Sequence, residues 1–125
     1  MLADSPITAF ASTTDLGRAR GFYEGVLGLE VVHEDGFAVV LRAPNATIRV
    51  TLVEQLTPQP FTILGWQVDD LTSTVRGLAA RGATFRRYEF MDQDEDGTWT
   101  APSGDRVAWF ADPDGNLLSV SQHTD

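Results

Sequence analysis

Asp15-Leu16-Gly17-Arg18-Ala19-Arg20-Gly21-Phe22-Tyr23-Glu24-Gly25-Val26-Leu27-Gly28 and Asp70-Leu71-Thr72-Ser73-Thr74-Val75-Arg76-Gly77-Leu78-Ala79-Ala80-Arg81-Gly82 decide the fold, because they follow one design twice. Each opens on an Asp, whose carboxylate suits an N-cap because it accepts from backbone N–H groups left free in the first helical turn. Each closes on a Gly, the residue that leaves a helix through a left-handed conformation at least cost. Leu16, Ala19, Phe22, Tyr23 and Val26 form one apolar stripe, and Leu71, Val75, Leu78 and Ala79 form the other. Both follow helical spacing.

The flanks repeat as well. An extended run at 7–13 precedes the first helix, and one at 61–69 precedes the second. Strand-like runs follow at 29–33, 37–42 and 47–53 in the first half, and at 83–91, 106–111 and 117–122 in the second. The turn Ala43-Pro44-Asn45-Ala46 answers Asp112-Pro113-Asp114-Gly115, and Pro, Asn, Asp and Gly are turn formers. Pro58 and Pro60 break the chain between the halves. The reading is α+β: two βαβββ modules, 1–56 and 61–125, within one domain, the second longer by an insertion at 92–104.

Composition narrows the function. A chain of 125 residues suits a single domain and buries roughly two-thirds of its unfolded surface without a disulfide or metal staple. It has no Cys and no Lys, which removes thiolate zinc, iron–sulfur, cysteine-nucleophile and Schiff-base chemistry. Its 18 acidic residues against 9 basic ones give a formal charge of −9, so a phosphate backbone is a poor partner and no nucleic acid is expected. The apolar runs are too short to span a membrane and the first residues lack a secretion signal. A cytoplasmic protein with no membrane partner is the expectation.

Asp15-Leu16, Phe22-Tyr23, Val26-Leu27-Gly28-Leu29, Val68-Asp69-Asp70-Leu71, Trp109-Phe110 and Asp112-Pro113-Asp114-Gly115-Asn116, in this order, resemble the vicinal oxygen chelate superfamily, which joins glyoxalases, bleomycin-resistance proteins and extradiol dioxygenases. The resemblance covers nearly the whole chain. It implies a curved eight-stranded mixed sheet around a small-molecule cleft, helices on the outer face, and in the enzymes a divalent metal. The enzymes' ligand positions correspond to Thr8, Ile63 and Ser119, with a fourth near Arg49 to Thr51. A Lewis-acid metal needs several imidazole or carboxylate donors. Two hydroxyls and a hydrocarbon do not supply them, so no metal and no cofactor are expected there.

Other signals are weaker. Asp92-Gln93-Asp94-Glu95-Asp96-Gly97 copies the start of a calcium loop, but its twelfth place is Ser103 rather than the required Glu. His33 and His123 read as solvated. Ser121 and His123 lie on one side of an extended strand, with no strained elbow, and i to i+2 side chains are neighbours there by geometry alone, so no Ser-His-Asp set is expected.

Strand alternation sorts the faces. With Thr8, Ile63 and Ser119 turned inward, Phe10, Ser12, Gly65, Gln67, Leu117 and Ser121 join them, and Ile48, Val50 and Leu52 leave Arg49, Thr51 and Val53 to the cleft. Ile7, Ala9 and Ala11 then meet the helix. Trp109 is placed inward and Phe110 in the core. Trp99, in a polar segment read as loop, is either a lid or an anchor, and Met91 reaches the rim. The expected function is metal-free binding of a small, partly aromatic molecule, similar to the antibiotic-binding and resistance branch. Phe10, Trp99 and Trp109 would supply surface, and Ser12, Gln67, Ser119 and Arg49 would orient polar groups. The alternatives are a glyoxalase-like lyase, isomerase or dioxygenase with non-standard metal ligands, and a module acting through dimerisation. A homodimer is expected.

Overall fold

A computed structural model describes residues 1–124. The chain forms two compact units, Met1–Pro58 and a second that starts at Gln59. The first contains β1 (Ile7–Thr13), α1 (Leu16–Arg20) continuing into a π-helical turn (Gly21–Val26), β2 (Val31–Glu34), β3 (Ala38–Ala43) and β4 (Ala46–Leu52). The second contains β5 (Thr62–Gln67), α2 (Leu71–Ala80), β6 (Trp99–Thr100), β7 (Arg106–Ala111) and β8 (Leu117–Gln122). The sheets have the same plan, β1-β4-β3-β2 and β5-β8-β7-β6. In each, the first strand pairs parallel with the last and the other pairs are antiparallel. A parallel pair needs a long crossover, and here the crossover contains the helix. The fold is α+β, two βαβββ modules with eight strands.

The caps form as the sequence dictates. Asp15 Oδ1 accepts from the Arg18 amide at 3.0 Å, and Asp70 Oδ1 accepts from the Ser73 amide at 3.1 Å. A further N–H of α2, that of Leu71, donates to Gln122 Oε1 at 2.8 Å, which ties the helix start to β8. Gly28 and Gly82 leave their helices at φ 74° and 107°. At Gly82 the two closing bonds, Gly82 N–H to Ala79 C=O and Ala83 N–H to Leu78 C=O, form a Schellman end.

Each sheet buries one face under its helix. In the first unit Ala11, Ile48, Val50, Val39 and Leu41 are buried with Ala19, Phe22 and Tyr23. The π turn, marked by the Leu27 N–H to Phe22 C=O bond, lets the consecutive Phe22 and Tyr23 both turn inward, their rings edge-to-face at 5.4 Å. In the second unit Leu64, Ala108, Phe110, Leu118 and Val120 are buried with Leu71 and Val75.

Three expectations are corrected. Residues 83–91 form no strand; Phe85 makes one isolated bridge to Phe110. The Gln93 side chain takes the place of a neighbouring strand: its Oε1 accepts from the Tyr88 amide at 2.7 Å and its Nε2 donates to the Arg86 and Gly97 carbonyls at 3.0 and 2.8 Å. The edge strand is instead β6, so Trp99 stands on a strand paired with β7 rather than in a loop. Ile7 and Leu52, expected in the core, are 68% and 42% exposed, because they sit at strand ends beyond the cover of α1.

The Asp112–Asn116 turn is a self-contained polar knot. Asp112 is buried; its Oδ1 accepts from the Asp114 and Asn116 amides, and its Oδ2 accepts from Asn116 Nδ2 at 2.9 Å. Gly115, at φ 87°, makes the reversal possible. Asp112 therefore acts on folding, setting the β7–β8 register around Asp114. Among the described residues, no helix is long and apolar enough to cross a membrane.

Candidate functional site

In the second unit, Leu64, Phe110, Leu118 and Val120 point toward the helix, so Gly65, Gln67, Val107, Trp109, Ser119 and Ser121 share the opposite face. Trp109 stands beside Ser119 in the β7–β8 register, and Gly65 stands beside Ser119 in the β5–β8 register. A Cβ at Gly65 would come within 2.7 Å of Ser119 Oγ and would turn that hydroxyl aside.

The rings on this face form a row. Trp99 and Trp109 lie 6.3 Å apart between centroids, tilted by 35°. Tyr88 meets Trp109 edge-on at 5.9 Å, and Phe90 follows Tyr88 at 5.6 Å. Trp99, Trp109 and Tyr88 are half-buried, while Phe90 is 80% exposed. Among the described residues the two indole N–H groups, the Tyr88 hydroxyl, the Gln67 amide and the Ser119 hydroxyl have no hydrogen-bond partner. Buried Trp and Tyr normally find one, so this row has apolar area together with polar groups available to something else.

Among the sequence-derived candidates, Trp99, Trp109, Ser119 and Gln67 therefore share one face of the second unit. Met91 is half-buried, and its N–H closes a turn to the Tyr88 carbonyl. Tyr88 and Phe90 had not been singled out. Their signal was the alternation Tyr88-Glu89-Phe90, but it lay in the run misread as a strand. In the first unit, Phe10 (63% exposed), Ser12 and Arg49 lie on the face away from α1, with Phe10 beside Arg49 in the β1–β4 register. Arg49 has no ion-pair partner among the described residues.

The metal positions fit a cation poorly. Thr8 is flanked on its face by Phe10, Thr47 and Arg49. Ile63 sits at a register break in β5, out of the ladder. Ser119 is surrounded by Gly65, Trp109, Gln67 and Ser121. None of these neighbours supplies imidazole or carboxylate, and among the described residues no group of three His, Cys, Asp or Glu converges. The donor set does not suit a Lewis-acid metal.

The acidic insertion is already satisfied by Arg. Arg76 pairs with Asp96 at 3.1 Å and Glu95 at 3.7 Å, and Arg87 donates to the Asp94 and Glu95 carbonyls. Asp94 Oδ1 accepts from the Asp96 and Thr98 amides. Guanidinium and amide groups thus hold oxygens of Asp94 and Asp96 that a calcium ion would need.

His33, read as solvated, pairs with Asp35 at 3.0 Å. His123 is not a bare surface group. Ser121 Oγ lies 3.1 Å from His123 Nε2, and His123 Nδ1 lies 3.1 Å from Asp105 Oδ2. Asp105 was the third member that the sequence reading did not find.

The paired-module fold, with one helix covering one face of each four-stranded sheet, defines a class, and the comparisons agree. The family model for the glyoxalase/bleomycin resistance protein/dioxygenase superfamily matches residues 7–120. The chain belongs to that superfamily. A member of it from Sphaerobacter thermophilus has a similar structure, with a TM-score of 0.77 at 22% identity over 98% of this chain and 100% of the other. Lactoylglutathione lyase from Agrobacterium tumefaciens gives 0.73 at 16% identity over 95% and 93%. An integron cassette protein from the mobile metagenome of V. cholerae gives 0.68 at 20% over 99% and 98%. These likenesses establish the fold. No curated protein matches the chain.

Proposed function

We propose that this protein binds a small, partly aromatic molecule without a resident metal, in the manner of an antibiotic-binding member of its superfamily. The row Trp99–Trp109–Tyr88–Phe90, with its unclaimed N–H and O–H groups, carries the reading. Small-molecule sites combine apolar area with a few placed polar groups. Gln67 and Ser119 would orient the ligand on the second unit. On the first unit, taken by itself, Phe10 and Arg49 offer apolar area and a cation, and the guanidinium suits an acidic ligand group. The two units act as one domain in this reading, in a cytoplasmic homodimer.

Tryptophan emission reads the row directly, because Trp66 lies on the helix-facing side of β5 and serves as an internal reference. Titration with a panel of aromatic antibiotics in EDTA should give saturable quenching that Trp109→Ala removes. Binding that appears only when zinc or manganese is added would refute the metal-free reading.

A further inference from the structure

We propose that Ser121, His123 and Asp105 form a nucleophilic relay that gives this face an esterase activity toward aryl esters. The geometry is that of nucleophile, base and orienting acid. Ser121 Oγ is 3.1 Å from His123 Nε2, and His123 Nδ1 is 3.1 Å from Asp105 Oδ2. Both distances meet the requirement for such a set.

The tautomer follows from the partners. Asp105 is ionised at neutral pH: the Thr124 backbone N–H above all, with the Thr124 hydroxyl and His123, holds its carboxyl below the usual carboxylate range. A carboxylate only accepts, so Nδ1 carries the proton in the neutral ring. Nε2 then presents its lone pair to the Ser121 hydroxyl. Asp105 is itself fixed, since its Oδ1 accepts from the Thr124 amide at 2.8 Å and from the Thr124 hydroxyl at 3.1 Å. The register brings the set together: Asp105 and His123 are each nine residues from Asp114, about which the β7–β8 hairpin is symmetric.

The surroundings suit acyl transfer. Gln67 pairs with Ser121 in the β5–β8 register, on the same face, and its amide is unclaimed among the described residues. A side-chain amide is a known kind of oxyanion donor. Val107 stands between Ser121 and Trp99 across the sheet, so the aromatic row begins two strands away. The aryl preference rests on the proposed binding role of that row; the relay itself does not.

The chemistry balances. Ser121 Oγ attacks the ester carbonyl carbon while His123 Nε2 takes the hydroxyl proton. The imidazolium is stabilised by Asp105, and the oxyanion by Gln67 Nε2. Collapse expels the phenol, which leaves with the proton from His123. Water then attacks the acyl-serine through the same base, releasing the carboxylic acid and restoring Ser121.

Diisopropyl fluorophosphate tests the relay without needing aromatic recognition. The full chain should acquire one phosphoryl adduct, mapped to Ser121 by peptide mass spectrometry, and p-nitrophenyl acetate hydrolysis should fall with the same kinetics. Ser121→Ala should abolish both, and His123→Ala should slow labelling at least about a hundredfold, the usual contribution of a general base. Asp105 is a positioning residue: Asp105→Asn should slow labelling while leaving the aromatic quenching titration unchanged, and Asp105→Glu should restore part of the rate. A Ser121 adduct formed by a protein whose emission no panel compound quenches would uphold the relay while the binding reading fails, which separates the two failures. No adduct, an adduct elsewhere, or hydrolysis that survives Ser121→Ala would overturn the proposal.

Discussion

The two units carry the same frame to different ends. Both have an Asp-capped helix, a Gly exit and a mixed sheet in the same strand order. After its helix the first unit reaches β2 within a few residues, and the β3–β4 turn is closed by Asn45, at φ 56°. The second instead runs through an irregular segment from Ala83 to Thr98, held by Gln93 and by arginine contacts, before the two-residue strand β6. That segment brings Tyr88 and Phe90 to the sheet face beside Trp109. The frame is conferred by caps, stripes and turns, whereas the longer module adds Tyr88 and Phe90 to rings that the frame strands already carry.

The sharpest contrast lies in the turns. Asp112→Ala strips three donors of their buried acceptor and should cost about 3 kcal/mol, whereas Asn45→Ala strains only one left-handed residue and should cost about 1 kcal/mol. Urea midpoints would measure both, and equal losses would break the comparison. Next in size is ligand affinity. Trp109→Ala should weaken an aryl ligand about thirtyfold, ~2 kcal/mol, since Trp109 touches two other rings.

The helix exits give a smaller effect of known sign. Gly77 and Gly82 both have open space where a Cβ would stand, but only Gly82 has positive φ. Gly82→Ala should therefore destabilise by about 1–2 kcal/mol through backbone strain alone, and Gly77→Ala, inside α2, should stabilise by up to about 1 kcal/mol. Thermal melts distinguish them.

The smallest expected effect is on acid stability. Asp35 in the first unit and Asp105 in the second have depressed pKa values, chiefly through backbone N–H donors from Phe37 and Thr124 respectively. A depressed carboxyl contributes stability that is fully present above its unfolded value and lost as pH falls through the folded one. Melting temperature should thus decline on the acid side of the ordinary carboxylate range, and Asp35→Asn or Asp105→Asn should each flatten that decline slightly. Unchanged profiles would show that these bonds persist in the unfolded chain or contribute nothing.

Much of the frame was legible because it is local. Asp15, Gly28, Asp70 and Gly82 punctuate the helices by chemistry that needs no partner, and alternation placed Trp109 and Phe110 on opposite faces. The segment 83–91 was misread because its backbone is satisfied by a side chain five residues beyond Tyr88, which no periodicity reveals. Asp105 was missed because its relation to His123 is one of register. The signal was nevertheless present: Asp112-Pro113-Asp114-Gly115-Asn116 marks the hairpin's centre, and counting outward equally from Asp114 reaches Trp109 with Ser119, then Asp105 with His123.

The central claim is that the second unit's ring row holds its ligand with no help from a cation. Isothermal titration of the strongest-quenching panel compound, run once in EDTA and once with added zinc, tests it most directly. The account predicts the same one-to-one affinity in both buffers and its loss in Trp109→Ala. An affinity that requires zinc, or one indifferent to Trp109, would contradict it.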